Sequence, residues 1–431
     1  MLPSDIIQQR LLEAAAATIG AVDPSHLVVR PCPDPRFGDY QTSGLMALAK
    51  ERKTNPRKLA TEVLAALNVS DLCDPPEVAG AGFINFRLQP STLEAALTDA
   101  LSSPQPFLRV APEPRKYVVD FSSPNVAKPM HVGHIRSTIL GDAIARMLRL
   151  LGHRVITDNH IGDWGTQFGM LLTGWKTLLH REHLAADPMG ELERIYREIN
   201  SRCDPDKAGF DPATLDQARG ELVKLQQGDA ENLGIWREMI ELSQRQFEAV
   251  YSRLGVCFDH TLGESFYNSR LPGVVAELLA RGIARESEGA TVVFGDGTLP
   301  PKEDPFQIFR DGEWHPNPQL IRKADGGFNY STTDLATLAY RVETWNPDEI
   351  IYVTDGRQQL HFRQLFATFR RWHPEARVRL EHVWFGAILG DDGRPLKTRS
   401  GENIKLAELL DEAESRAAHI VSEKNTTLDE G

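Results

Sequence analysis

Apolar residues recur at helical spacing over 6–19, 45–53, 56–67 and 92–101, and this predicts four helices. A β-rich run, GFINFRL at 82–88, falls between the third and fourth. Together they predict a small α+β domain over residues 1–108. Pro104, Pro106, Pro112 and Pro114 follow it. Proline cannot donate to a ladder or continue a helix, so an extended linker is expected there. From residue 116 the pattern changes. YVVDF at 117–121 reads as a strand, 135–151 as a long helix ending at Gly152, and RVITD at 154–158 as a second strand. Strand, loop, helix, strand is one unit of a parallel sheet. The rhythm resumes with a strand at 349–354, a helix at 361–372 and a strand at 382–389. The expected fold is α/β, a doubly wound parallel sheet whose halves lie at 116–172 and 263–403. Between them, 173–262 is charged and helical, and it predicts a helical insertion with a loop at 204–209. The turns DGG at 325–327 and DDG at 391–393 read as hairpin signals, and 404–423 reads as a last helix.

Composition adds exclusions. The chain has 431 residues, 41% hydrophobic and 25% charged, with a net charge of −12. That balance excludes a disordered chain and a small disulfide scaffold. No run approaches the roughly 18 uncharged apolar residues a membrane span needs. Asp5, Arg10 and Glu13 occupy the place where a signal peptide has its apolar centre. Cys32, Cys73, Cys203 and Cys257 form no Cys-x-x-Cys, so neither a disulfide framework nor a protein-held metal is expected. The expectation is a cytoplasmic monomer with no membrane partner. The acidic balance argues against a nucleic-acid surface spread over the whole molecule, but not against a local patch such as Lys50, Arg52, Lys53, Arg57 and Lys58.

Two loops carry candidate chemistry. His131-Val132-Gly133-His134 stands between the first strand and its helix. A helix N-terminus there offers free N–H groups and the positive dipole end to an anion. Gly133 lets a nucleotide approach the backbone, and the imidazoles can donate to phosphate oxygens. The loop 158–167, with His160, Gly162, Asp163 and Trp164, follows the second strand, where open α/β sheets bind ligands.

SSPNVAKPMHVGH at 122–134 followed by ITDNHIGDWGTQFG at 156–169 closely resembles arginyl-tRNA synthetase, a class I aminoacyl-tRNA synthetase. FGDYQTSGLMALAK at 37–50, GFINFRL, GESFYN at 263–268, FNYSTTDLA at 328–336, YVTDGRQQLHFRQLF at 352–366 and PLKTRSGENIKL at 395–406 are similar to further motifs of that family, in its order. The resemblance implies a Rossmann-type catalytic domain and ligation in two steps. ATP, with Mg²⁺, activates L-arginine to arginyl-adenylate, and the arginyl group then passes to tRNA(Arg). It implies that His131, Gly133, His134, His160, Gly162 and Asp163 hold ATP. It also implies that Asp120 and Asp334 bind the guanidinium. Ser122, Asn125, Tyr330 and Gln358 complete the arginine site, and Phe83 with Asn85 meets a tRNA loop base.

The resemblance also has departures. Where many class I synthetases carry Lys-Met-Ser-Lys-Ser, the matching stretch here is Pro395-Leu396-Lys397-Thr398-Arg399-Ser400-Gly401, and in the register that Gly401 marks Thr398 stands in place of the second lysine. Lys128, just ahead of the two histidines, is the expected replacement, with Lys397 and Arg399 directed at pyrophosphate. The family continues into a helical anticodon-binding domain, whereas residues 404–431 hold only the start of a stem, so that domain is expected to be missing. Arginyl enzymes generally need bound tRNA to activate arginine. The competing readings are a non-catalytic tRNA-binding paralogue and a small-molecule nucleotidyltransferase sharing the histidine loop.

Overall fold

The computed structural model describes residues 2–102, 108, 110–386 and 405–424. The chain divides into two compact units, Met1–Val110 and Ala111–Gly431. The first unit runs α1 (Pro3–Ile19), β1 (Arg30–Pro31), β2 (Tyr40–Thr42), α2 (Gly44–Glu51), α3 (Pro56–Ala66), β3 (Glu77–Ala79), β4 (Phe83–Phe86) and α4 (Pro90–Ser102). Proline stands in the first turn of α1 and α3, where its missing N–H costs nothing. The Asn55 side chain caps α3 by accepting from Arg57 and Lys58 N–H. The sheet order is β1-β2-β4-β3, all antiparallel. Ile84 and Phe86 of β4 are fully buried against Ile7, Leu45 and Val63 of the helices. Strand alternation therefore puts Phe83 and Asn85 on the opposite face, with Phe83 half-buried and Asn85 buried.

The second unit begins with β5 (Lys116–Phe121), α5 (Val132–Leu150) and β6 (Arg154–Asp158). Five helices follow: α6 (Gln167–Leu178), α7 (Arg181–Ala186), α8 (Pro188–Cys203), α9 (Pro212–Gln226) and α10 (Ala230–Leu254). Next come α11 (Leu271–Ala280), β7 (Ala284–Ser287), β8 (Ala290–Val293), β9 (Gln307–Arg310), β10 (Glu313–Pro316) and β11 (Gln319–Arg322). The unit closes with α12 (Tyr330–Trp345), β12 (Glu349–Asp355), α13 (Gln359–Trp372), β13 (Arg379–Phe385) and α14 (Leu406–Lys424).

The main sheet is parallel, in the order β13-β12-β5-β6. Tyr352 pairs with Asp120, and Asp120 with Asp158, so three strands end at one level. Both faces are covered, which explains the nearly unbroken apolar runs of the central strands. Tyr117, Val119, Phe121, Ile351 and Val353 face a core shared with α6, α8 and α10. Val118, Ile350 and Tyr352 face a second core with α11, α12 and α13. Helix α5 lies so close to β5 that a Cβ on Gly141 would meet Phe121 side-chain carbon at 2.1 Å. The chain leaves β5 toward β6 on one side and β12 toward β13 on the other. The switch point thus falls between β5 and β12, and a ligand crevice opens beyond their carboxyl ends.

The expected doubly wound sheet and helical insertion are present, with three local differences. Helix α5 starts at Val132 rather than 135, because His131 itself caps it. The last strand lies at Arg379–Phe385, upstream of the expected 382–389, and 387–389 fall outside the described residues. The turn at 325–327 joins a strand to a helix instead of two strands, closed by one bridge between Arg322 and Phe328. The turn at 391–393 also lies outside the described residues. A three-stranded antiparallel sheet, β11-β8-β7, and the hairpin β9–β10 were not anticipated; their strands have four residues each. The four cysteines are free thiols. Among the described residues no helix is long and apolar enough to cross a membrane.

Candidate active site

The loop after β5 is strained and tightly braced. Ser122, Ser123 and Ala127 have φ of 75°, 49° and 60°, where side chains are disfavoured by about 1–3 kcal/mol each. Compensating bonds come from all sides. Ser122 N–H donates to Ser137 Oγ at 2.9 Å, Ser123 N–H to Asn159 Oδ1 at 3.0 Å and Ala127 N–H to Ser243 Oγ at 2.9 Å. The Ser122 hydroxyl is buried between Tyr251 and Thr138, at 2.8 and 2.9 Å. Ser122 therefore departs from its expected substrate contact: its side chain braces the loop. Ser243 and Tyr251 belong to α10, so the insertion holds the strand-end loops in place.

At the start of α5 the two histidines cap each other. Gly133 N–H donates to His131 Nδ1 and His131 N–H to His134 Nδ1, both at 3.1 Å. An Nδ1 that accepts leaves the ring proton on Nε2, so each neutral imidazole keeps one outward donor. Burial, then Arg357 and Lys128, lower the His131 pKa. Burial, then His131, push His134 down to about 3. The pair is thus a set of uncharged donors at a helix N-terminus. Lys128 has its Nζ 4.6 Å from the centre of the Tyr196 ring, and burial lowers its pKa.

Beneath this loop the strand ends hold charge. Asp120 and Asp158 both meet Arg341 of α12, at 2.7 and 2.8 Å, and Arg341 has no exposed surface. Burial opposes the guanidinium's charge, but the two carboxylates outweigh it and hold its pKa well above the ordinary value. Asp120, expected at the substrate's guanidinium, is here ion-paired to the chain's own.

Asp334 is one turn inside α12, whose cap is Asn329. Its Oδ2 lies 2.6 Å from His361 Nε2, and its Oδ1 lies 3.8 Å from His160 Nε2. Burial would raise its pKa, but the His361 hydrogen bond and the charges of His361, His160 and Arg341 bring it below the ordinary value. Glu264, at the start of a 3₁₀ turn, shares this neighbourhood. Burial raises it to about 7, with Asp334 and Asp163 adding to the rise and His160 opposing it. A carboxyl held in its ionised form and one that keeps its proton up to about neutral pH therefore face the same space. Tyr330, exposed, stacks near His361 with centroids 4.8 Å apart.

The remaining expected residues divide. Asn125 and Gln358 are exposed, beyond β5 and β12 respectively, on the two sides of the switch point. Gly162 and Asp163 do not present themselves to a nucleotide. Gly162 forms a bridge with Asn125, and a Cβ there would come within 2.2 Å of Asn125 Oδ1. Buried Asp163 accepts from Ser265 N–H and Oγ–H at 2.8 and 2.6 Å, so its carboxylate fixes the turn that carries Glu264. His160 faces Asp334 rather than the histidine loop. Lys397 and Arg399 lie outside the described residues. Reading by sequence passed over Glu264, His361 and Arg341. The first two sit inside quoted motifs, but each needs a partner from a distant segment to show its role.

The class I (R) tRNA synthetase catalytic domain matches residues 96–430, and the arginyl tRNA synthetase N-terminal domain matches 5–88. The arginine–tRNA ligase of Laribacter hongkongensis is 44% identical over 97% of this chain and 70% of its own length. That of Chromobacterium violaceum is 45% identical over 98% and 71%. The crystal structure of arginyl-tRNA synthetase from Plasmodium falciparum superposes with a TM-score of 0.72 at 25% identity, covering 98% of this chain and 69% of that one. The Thermus thermophilus arginyl-tRNA synthetase shares the fold, with a TM-score of 0.71 at 24% identity, covering 100% and 72%. With both its N-terminal and its catalytic regions matched, the chain belongs to the arginyl-tRNA synthetases of class I.

Proposed function

We infer that the chain is an arginine–tRNA ligase, activating L-arginine with ATP and passing it to tRNA(Arg). The observation that carries this reading at the level of residues is the Asp334–Glu264 carboxyl pair, together with two imidazole donors at the N-terminus of α5. The pair suits a planar cation, and the donors suit phosphate.

In the first step an arginine carboxylate oxygen attacks the α-phosphorus of ATP. A new C–O–P bond forms, the bond to the β-phosphate oxygen breaks, and pyrophosphate leaves. No protein nucleophile is required; positioning and charge neutralisation are. Asp334 and Glu264 hold the guanidinium, with Tyr330 against it. Asn125 and Gln358, on the two sides of the switch point, orient the amino-acid end. His131 and His134 donate from Nε2 to the phosphates, and Lys128 adds positive charge. Lys397 and Arg399 reach toward pyrophosphate. In the second step a hydroxyl of the terminal tRNA adenosine attacks the arginyl carbonyl and AMP leaves. Among the described residues no three His, Cys, Asp or Glu side chains converge as metal ligands. A Mg²⁺ accompanying ATP would be carried mainly by phosphates and water. Half-buried Phe83, with Asn85 on the same sheet face, is the candidate contact for a tRNA loop base. The work is that of a cytoplasmic enzyme. The paralogue and nucleotidyltransferase readings lose ground, because a matched carboxyl pocket serves neither.

Asp334→Asn tests the pocket. Removing the charge should weaken L-arginine binding by roughly a hundredfold, since hydrogen bonds to charged groups contribute about 1.5–3 kcal/mol. ATP binding should stay within about twofold. Calorimetry that shows unchanged arginine affinity would sink the assignment.

A further inference from the structure

We propose that His160 contacts the substrate and sets specificity in the guanidinium pocket, its Nε2 accepting an N–H of the arginine side chain. The inference rests on the pocket reading above and goes beyond it by naming a neutral acceptor beside the two carboxyls.

Three observations support it. First, the tautomer is set by the chain. His160 Nδ1 lies 3.0 Å from the Leu262 carbonyl oxygen. A carbonyl only accepts, so Nδ1 carries the proton and the neutral ring has its lone pair at Nε2. Second, the lone pair faces the pocket. Nε2 is 3.8 Å from Asp334 Oδ1, beyond hydrogen-bond reach, and the side chain is only 12% exposed. Two acceptors this close are both served by one NH₂ group lying beside the line that joins them, each taking one of its hydrogens. A guanidinium edge supplies N–H groups in a planar fork. Third, the ring is held. Asn159 N–H donates to His260 carbonyl at 2.9 Å and Glu264 N–H to Ile161 carbonyl at 3.1 Å. The segment carrying His160 is thus stitched to the segment carrying Glu264, and the Tyr267 ring stands 5.6 Å from the imidazole.

The division of labour follows. Asp334 gives Oδ2 to His361 and keeps Oδ1 toward the gap. A guanidinium has five N–H donors spread over a rigid plane, more than two carboxyls on one side can serve. An ammonium is compact and is served by the carboxyls alone, leaving the His160 lone pair buried and unpaired. Sites that leave a buried polar group unpaired reject the wrong ligand strongly.

The test uses the full chain and three substitutions at position 160. His160→Asn keeps a donor for the Leu262 carbonyl and removes the acceptor. His160→Gln places an amide oxygen near the Nε2 position. His160→Met keeps bulk without a comparable acceptor and repeats the reading if the Asn variant folds poorly. Calorimetry reads the affinities for L-arginine, L-lysine and ATP. The expected result is a roughly ten- to hundredfold loss of arginine affinity for Asn and Met. ATP affinity should be unaffected, lysine affinity should rise in Met, where the unpaired acceptor is gone, and Gln should restore most of the arginine loss. Arginine affinity unchanged in both Asn and Met overturns the proposal, as does a loss confined to ATP or one shared equally by Asn and Gln. Asp334→Asn is measured in parallel. If it weakens arginine binding while the position-160 variants do not, only the role of His160 falls. If it too has no effect, the pocket reading falls with it.

Discussion

Two carboxylate centres lie at the same end of the sheet, and they have opposite fates. In one, Asp120 and Asp158 are closed by Arg341, and all three side chains are buried. In the other, Asp334 is flanked by imidazoles and Glu264 has no cation of the chain within salt-bridge distance among the described residues. The first centre spends its guanidinium on the fold. The second leaves room for a guanidinium from outside. Acid residues gathered at strand ends therefore do not announce a binding site by themselves. What separates the two is whether a distant helix returns a matching charge.

Arg341→Met should give the largest effect. Leaving two buried carboxylates unpaired typically costs about 3–5 kcal/mol, so chemical denaturation should show a severely weakened second unit. Asp334→Asn should shift the midpoint far less, because the amide oxygen can still accept from His361 and no buried charge is left unpaired. Equal destabilisation by the two would erase the contrast.

Lys128 sharpens the same contrast, because its ammonium rests over Tyr196 instead of being closed into a carboxylate pair. Lys128→Ala should lower arginyl-adenylate formation, measured in single turnover with tRNA present, by about two decades while ATP binding changes little. Lys397→Ala should cost less; the reverse order would show that the later loop carries the charge.

The smallest effect is in pH. Glu264, raised to about 7, keeps in the folded chain a proton that an unfolded carboxyl has already lost. Its contribution to stability is therefore present at low pH and falls as pH rises from about 4.3 through 7. Arginine needs the ionised form, so its binding should release a proton and strengthen by at most about tenfold per pH unit up to 7, then level off. Glu264→Gln should flatten that profile. A slope that survives the substitution assigns the titration to another group.

The sheet was legible because its strands are apolar on both faces and its punctuation is Gly and Pro. The histidine loop was legible because its chemistry is local: a cap, a glycine and a helix start lie within four residues. Arg341 was not. In the sequence it is one more charged residue on a helix, and its partner Asp158 is 183 positions away. The bracing of Asp163 was hidden for a related reason, since its partner Ser265 lies 102 positions away. The four-residue strands of the small sheet are too short for alternation to stand out.

The mutual capping of His131 and His134 also bears on turnover. Hydrogen bonds from neutral donors to phosphate are roughly half as strong as those from cations. A fixed pair of positive charges would grip pyrophosphate after the bond to it has broken, and product would clog the enzyme. In the proposed role, imidazoles kept uncharged by burial would steady the phosphates through the reaction and still let the leaving group diffuse away, clearing the crevice for the end of the bound tRNA.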